Sequence, residues 1–312
     1  MEYVNHKSDL VDVLTTPGLV VKDRPILNPD ISEECLRAAY TQMAKVLLQL
    51  NMHSFEKIGC ISKVADDDDF DDRWEVKHRP LTLNMNELVQ LGGVSPSHLP
   101  TGPFTTSSSY YLTLAEMHMI HLSSQRSAED CKRKYIARCL FHKLARDGRF
   151  CTNHSNANGQ RPFKLFCDNF RPAIVLVDGD VRLSGVVDWE FTYAAPPEFS
   201  RSSPFWLIIE HPEYWNQALD DWTREYETRL PIFLDVLREQ EEDGLRRGVL
   251  LEPQNLSQHM RQSWETKRLF GDGDLEERFQ LLTEEERAGM KDFIERKIKE
   301  EEEHALPVWP PV

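Results

Sequence analysis

A run of short apolar segments between residues 163 and 196 is the feature that most limits how this chain can fold. The segment reads FKLFCDNFRPAIVLVDGDVRLSGVVDWEFTYAAP. Asp178, Gly179 and Asp180 separate two of its β-branched runs. An Asp-Gly step between apolar runs is a strong signal for a β-hairpin. The pattern therefore predicts a small β-hairpin region in the middle of the chain.

Helical patterns flank this region on both sides. Ser32 is a suitable N-cap for a helix, because Glu33 and Glu34 follow it and carboxylates in the first turn complement the helix dipole. Apolar residues then recur at helical spacing, which predicts one buried stripe. The stripe contains Leu36, Tyr40, Met43, Leu47 and Leu50.

Further helices are predicted on each side of the hairpin. One runs from about residue 128 to 147, is closed by Gly148, and places four apolar residues on one face: Ile136, Cys139, Leu140 and Leu144. After the hairpin, helices are expected at 213–243, 254–269, 274–282 and 283–304, the last beginning with a capping box of Thr283 and Glu286. Strands in the centre with helices around them predict an α+β fold that is mostly helical, without βαβ alternation.

The charge balance limits the partners of the chain. The 312 residues contain 37 Lys plus Arg and 52 Asp plus Glu, for a formal net charge of −15. This charge argues against general binding to nucleic acid or to anionic lipid. No apolar run approaches the ~18 residues that a membrane helix requires. Neither nucleic acid nor a membrane is therefore expected as a partner.

The cysteines indicate the compartment. Cys35, Cys60, Cys131, Cys139, Cys151 and Cys167 are scattered without any C-x-x-C spacing. This distribution is typical of free thiols in a reducing environment, and no secretory signal is recognisable at the N-terminus. The sequence therefore predicts a cytoplasmic protein without a zinc site.

Polar residues follow the central apolar runs at the positions where a phosphate-transfer site would need them. Asp168 and Asn169 follow the first run, and Asp188 follows the hairpin. Phosphoryl transfer needs a carboxylate near the attacking hydroxyl and oxygen ligands that hold magnesium against the nucleotide phosphates. Kinase-like enzymes that act on small molecules use the pattern H-G-D-x-x-x-x-N, then apolar strands, then [IV]-D-[WFP].

The segment from Leu165 to Ser200 resembles the catalytic core of the aminoglycoside phosphotransferase and choline kinase-like family, which has the protein-kinase-like fold. It is most similar to a fungal branch of that family, and the similarity extends over EVKHRPLTLNMNELVQLGG and LLTEEERAGM. The resemblance implies the large, C-terminal lobe of a kinase-like fold. It also implies ATP and magnesium as cofactors and a small hydroxyl compound as substrate.

The resemblance assigns roles residue by residue. Asp188 falls on the aspartate that is the principal magnesium ligand. Asn169 falls on the catalytic aspartate, but an amide cannot accept a proton as a carboxylate does. Ile174 falls on the metal-binding asparagine and has no ligand oxygen. Asp168 could replace Asn169, although one residue of offset in an extended segment would point its side chain the opposite way.

The N-terminus resembles the strand that joins the two lobes in this family. Residues 1–4 read MEYV, and the backbone of Glu2 and Val4 would edge the adenine site. No glycine-rich loop or lysine strand precedes them, so the small lobe is expected to be absent, missing from the gene model, or supplied by another polypeptide. The predicted domains are a kinase-like lobe over residues 1–250, with 1–4 as hinge remnant, and a helical extension over 251–312 packed on it.

Three hypotheses for function follow. The first is a degenerate family member that is inactive on its own, because the base, a metal ligand and the small lobe are all missing. The second is an active ATP-dependent phosphotransferase with an incomplete gene model, which uses Asp168 and acts on a small hydroxyl compound. The third is an interaction or scaffold protein whose acidic helical tail and aromatic residues bind an unspecified protein partner; the aromatic residues are Phe205, Trp206, Tyr214, Trp215 and Trp222.

Overall fold

The fold is mixed α+β, with a helical majority and small antiparallel sheets. We describe a computed structural model, in which residues 3–18, 25–64, 73–124, 130–151, 163–270 and 274–303 are described. Among these residues, no helix combines the length and the apolar content that crossing a membrane would require.

The described helices occur in chain order and include one that is only four residues long. They are α1 Leu10–Leu14, α2 Glu33–Met52, α3 Leu83–Gln90, α4 Ser107–Ser124, α5 Cys131–Arg146, α6 Pro197–Ser200, α7 Leu219–Arg246, α8 Leu256–Phe270, α9 Leu275–Gln280 and α10 Glu284–Glu302.

The described strands are all short. They are β1 Ser8–Asp9, β2 Ser54–Phe55, β3 Cys60–Lys63, β4 Trp74–His78, β5 Phe163–Cys167, β6 Val175–Val177, β7 Leu183–Val186 and β8 Thr192–Ala195. They form sheets of order β1-β6-β7, β2-β5-β8 and β3-β4. Strands β6 and β7 pair antiparallel with Val175 opposite Val186, so the predicted hairpin is confirmed.

The chain divides into two compact units that are discontinuous in sequence. The first comprises the described residues of Met1–Ser54, Lys164–Thr192 and Phe199–Lys267. The second comprises those of Phe55–Phe163, Tyr193–Glu198 and Arg268–Val312. The predicted division after residue 250 stays a prediction.

The core of the first unit forms where α2 packs against α7. Ser32 accepts a hydrogen bond from the Cys35 backbone N–H, as predicted for the N-cap of α2. Tyr40 and Phe233 meet edge to face with ring centroids 5.6 Å apart, and the Tyr40 hydroxyl donates to the Leu207 carbonyl at 2.7 Å. The same core includes the hairpin residues Val175 and Val177, so it packs against β6.

The core of the second unit lies between α5, α9 and α10. Ile136 and Cys139 are buried there, as the helical pattern predicts, and Met290 contributes from α10. The predicted capping box at the start of α10 is confirmed by reciprocal bonds between Thr283 and Glu286.

Two expectations differ from the structure, and a strand that was not expected is present. Leu144, predicted on the buried face of α5, is 41% exposed. The helix expected from residue 213 begins at Leu219, since Pro212 starts a separate 3-10 turn, Pro212–Tyr214. Strand β8 was not predicted because its alanines have low β-propensity, whereas burial of Tyr193, Ala194 and Ala195 stabilises it.

Candidate functional site

Two turns of the first unit meet beside the hairpin. One follows β5 and carries Asp168 and Asn169, and the other follows β7 and carries Asp188. The Asp168 backbone N–H donates to the Phe191 carbonyl at 3.1 Å, which ties one turn to the other through the main chain. The polar residues that the sequence separates by nineteen positions are therefore brought together.

Asn169 and Asp188 are in side-chain contact. Asn169 Nδ2 points to Asp188 Oδ2 over 3.4 Å, which is longer than an ordinary N–H···O hydrogen bond, so this contact is weak. Arg171 Nη1 donates to Asn169 Oδ1 on the other side of the amide. The amide therefore presents its oxygen to a cation and its nitrogen to a carboxylate, the orientation that electrostatics favours.

The role of Arg171 was not predicted. Arg171 is not among the predicted site residues, and the structure makes it the partner that orients Asn169. Arg171 Nη1 also lies 3.5 Å from the Asn169 backbone carbonyl. The sequence signal for this contact is that Arg171 follows Asn169 by two residues, because a turn brings side chains at that spacing close together.

Asp188 has an unusual backbone conformation. Its φ is +58°, in the left-handed region, and Phe191 three residues later has the same value. Aspartate tolerates this region better than most residues, whereas an aromatic side chain adopts it at a cost of about 1–2 kcal/mol. Surrounding contacts must offset that cost, and such conformations concentrate at functional sites. The turn holds the Asp188 side chain exposed to solvent.

Ile174 contributes to the site through its backbone only. Its side chain is 3% exposed and belongs to the apolar core of the first unit, together with Phe170. Its carbonyl accepts from the Val187 N–H at 3.0 Å, directly before Asp188. A hydrocarbon in this position cannot coordinate a cation, but it fixes the turn that carries the carboxylate.

Asp168 and Asn169 lie in a turn rather than in an extended segment. The argument that one residue of offset reverses the side-chain direction therefore does not apply to them. Burial raises the pKa of the Cys167 thiol, and the charges of Asp168 and Asp188 raise it further. Both carboxylates are thus within electrostatic reach of the same sulfur atom.

The side chains of this region do not fit a magnesium ion. Magnesium requires near-octahedral oxygen ligands at about 2.1 Å. Asn169 turns its nitrogen toward Asp188, and Ile174 offers no oxygen. In the part of the chain that the structure describes, no group of three or more His, Cys, Asp or Glu side chains could hold a metal ion.

Val4, predicted to edge an adenine site, lies on the hairpin. A Cβ at Gly185 would come within 3.0 Å of Val4 Cγ1, so the glycine in β7 makes room for this contact. The Lys7 N–H donates to the Val177 carbonyl at 2.7 Å, so the chain after Val4 also contacts the hairpin, at β6. Glu2 lies outside the described residues, and the role in nucleotide binding stays a prediction for both.

Comparisons with known proteins do not assign this site. A search of family models, curated proteins and solved structures finds no significant match to the chain. The class that the fold defines is therefore a mixed α+β protein with small antiparallel sheets, and function rests on the geometry of the site.

Proposed function

We propose that this chain is a kinase-like domain of the aminoglycoside phosphotransferase kind that does not transfer phosphate on its own. The observation that carries the proposal is the amide of Asn169, bound between the Arg171 guanidinium and the Asp188 carboxylate. In an active site of this kind, a carboxylate and a magnesium ion would be expected there.

Asn169 lacks the chemistry of a general base. A carboxamide cannot accept a proton at neutral pH, although it can hydrogen-bond a hydroxyl group. Its oxygen already accepts from Arg171 and its nitrogen already donates to Asp188. A substrate hydroxyl would have to displace one of these bonds and would gain no proton acceptor in exchange.

The positive charge near Asp188 has a source within the protein. Arg171 is half-buried, and its guanidinium contacts the Asn169 amide, which in turn contacts the Asp188 carboxylate. Because this cation is covalently part of the turn, the Asp188 charge is partly compensated without a bound ion. This compensation within the turn supports the proposal that the domain does not hold the metal.

A magnesium-dependent stability measurement tests the proposal. Urea unfolding with and without 10 mM MgCl₂ should give the same midpoint for the wild-type protein. Asn169→Asp places a second carboxylate beside Asp188 and should create magnesium-dependent stabilisation of about 1.4 kcal/mol once the ion is at ten times its dissociation constant. Asn169→Ala is the matched control, since it removes the amide without adding a charge, and should not respond to magnesium.

A second measurement addresses the hypothesis of an active phosphotransferase. The observation in its favour is that the charges of Asp168 and Asp188 both act on the Cys167 thiol. We expect no ATP binding by calorimetry and no ATP turnover from the purified chain with magnesium. Turnover that is lost in Asp188→Ala would contradict the proposal. Loss in Asp168→Asn as well would assign the base to Asp168.

A further inference from the structure

Strand β4 lies at the edge of its sheet. It pairs antiparallel with β3, with Ile61 opposite Val76. The chain directly before β3 has a further neighbour, because Gly59 and Ala194 exchange two N–H···O bonds of 3.0 Å. Among the described residues, β3 is the only strand that pairs with β4. The other side of β4 is therefore an open strand edge, of the kind on which another strand can add.

The backbone groups of Val76 point to this open edge. The Val64 N–H donates to the Arg73 carbonyl at 2.8 Å, so the polar backbone groups of Arg73 face β3. Such groups alternate in direction along a strand, which turns those of Trp74 and Val76 away from β3. Within the described part of the chain, no backbone hydrogen bond from outside the sheet reaches either residue. Val76 therefore has one donor and one acceptor to offer across the edge.

The charged side chains of β4 are placed symmetrically about Val76. Glu75 precedes it and Lys77 follows it, and Lys77 Nζ lies 2.6 Å from Glu75 Oε1, so both side chains are on one face of the strand. In an antiparallel pair of two identical strands with Val76 on the two-fold axis, Glu75 of each copy lies opposite Lys77 of the other. The strand is thus complementary in charge to itself, whereas a parallel pair in register would place Glu75 opposite Glu75.

We propose that β4 is a dimerisation strand, which pairs antiparallel with β4 of a second copy of this chain. Val76 of each copy donates to and accepts from Val76 of the other, and a Glu75–Lys77 pair lies on each side of this contact. These flanking positions are non-hydrogen-bonded pairs, in which opposite side chains lie closest together. Trp74 adds apolar surface at the same edge, since its side chain is 52% exposed.

The charges favour a second copy over other strands. Charged side chains on an edge strand oppose pairing with an apolar strand, because they would lose water without gaining an opposite charge. The register shift that leaves Lys77 without a partner residue in β3 limits the pairing to a short segment, so we expect a weak dimer. The interface is independent of the proposed function, because β4 belongs to the second unit and Asn169 to the first.

Sedimentation equilibrium of the purified full chain tests the dimer. We expect the weight-average mass to rise toward twice the monomer mass as the concentration increases from about 5 to about 500 µM, the range of a small interface. Lys77→Glu should weaken association at least tenfold, because glutamates then lie opposite glutamates on both sides of Val76. Lys291→Glu makes the same charge change at an exposed residue of α10 and is the matched control, with association within twofold of the wild type.

A charge swap distinguishes this register from any other contact. Glu75→Lys alone should weaken association as strongly as Lys77→Glu, since lysines then lie opposite lysines. An equimolar mixture of the two single variants should form heterodimers with an affinity within threefold of the wild type, because every lysine again lies opposite a glutamate. The double variant Glu75→Lys/Lys77→Glu should restore the homodimer. All these side chains are exposed, so circular dichroism should be unchanged.

Three results would overturn the proposal. The first is a mass that stays at the monomer value at every concentration. The second is a dimer that Lys77→Glu and Lys291→Glu weaken equally, or that the mixture of single variants does not restore, because the contact would then lie on another surface. The third is continuous growth beyond the dimer, since a two-fold pair of edge strands is closed.

Discussion

The turn around Asp188 and the helix pair α4–α5 both bring several polar side chains together, but they differ in how those groups are satisfied. At the turn, Asn169 lies between Arg171 and Asp188, so a cation, an amide and an anion form one chain of contacts. On α4, His118 and His121 have buried nitrogens without partners among the described residues.

The difference concerns charge more than burial. The turn contains both signs of charge and is exposed at Asp188, so it needs no external ion to be neutral. The helix pair has cations around two imidazoles, and the pKa of each is lowered. The comparison teaches that likeness to a catalytic motif does not predict which polar groups of a protein lack a partner.

The largest expected effect comes from making the turn more like a metal site. Ile174→Asn should lower the free energy of unfolding by about 4 kcal/mol, because it removes buried apolar surface and places an amide in the core. Ile174→Val is the control, with a loss of about 1 kcal/mol. Urea unfolding measures both. A loss below 1 kcal/mol for Ile174→Asn, together with stabilisation by magnesium, would break the comparison.

The second effect is a pH dependence that belongs to His118. Its pKa is about 4 in the folded chain against 6.5 ordinarily, so the unfolded state binds the proton more tightly. Stability from neutral His118 is therefore present above pH 6.5 and lost as the pH falls toward 4. The loss corresponds to about 3 kcal/mol at 1.36 kcal/mol per pKa unit.

His118→Leu removes this contribution. Unfolding free energies measured between pH 7 and pH 4 should fall less for the variant than for the wild type by that amount. His98→Ala, which changes an exposed histidine, is the control and should follow the wild type. Parallel pH profiles for His118→Leu and the wild type would remove the evidence that this imidazole is buried in neutral form.

The smallest effect is expected at the amide. Arg171→Ala should cost about 1 kcal/mol, because a charge-assisted hydrogen bond is lost from a half-exposed position. Arg182→Ala is the control: Arg182 pairs with Asp180 at 3.1 Å on the surface, and its loss should have no measurable effect. Equal stability of the two variants would indicate that Arg171 does not hold Asn169.

Local features of the fold were predictable from sequence. The cap at Ser32, the capping box of Thr283 and Glu286, and the hairpin around Gly179 are each confirmed. They depend on residues within a few positions of one another, so their physical chemistry is readable in a short segment. Strand β3 was not predicted, because the residues of β4 with which it pairs lie too far along the chain to be seen in a short segment.

The candidate site was predictable in part. Asp188 and Asn169 were singled out by residue type and spacing, and the structure brings their side chains together. The orientation of the Asn169 amide by Arg171 was not predictable, because it depends on the contact between the turn of Asn169 and the turn of Asp188. The unpartnered nitrogens of His118 and His121 gave no pattern in the sequence, since their burial depends on residues outside α4, such as Phe141 and Gly92.

The amino-acid sequence alone determined the α+β class, the positions of most helices and the absence of a carboxylate at residue 169. Those properties follow from periodicity, capping and the chemistry of single side chains. Only the tertiary structure decided which polar groups are paired and which are buried without a partner. The physical reason is that hydrogen bonding and desolvation depend on distances between residues far apart in the chain, which no local pattern encodes.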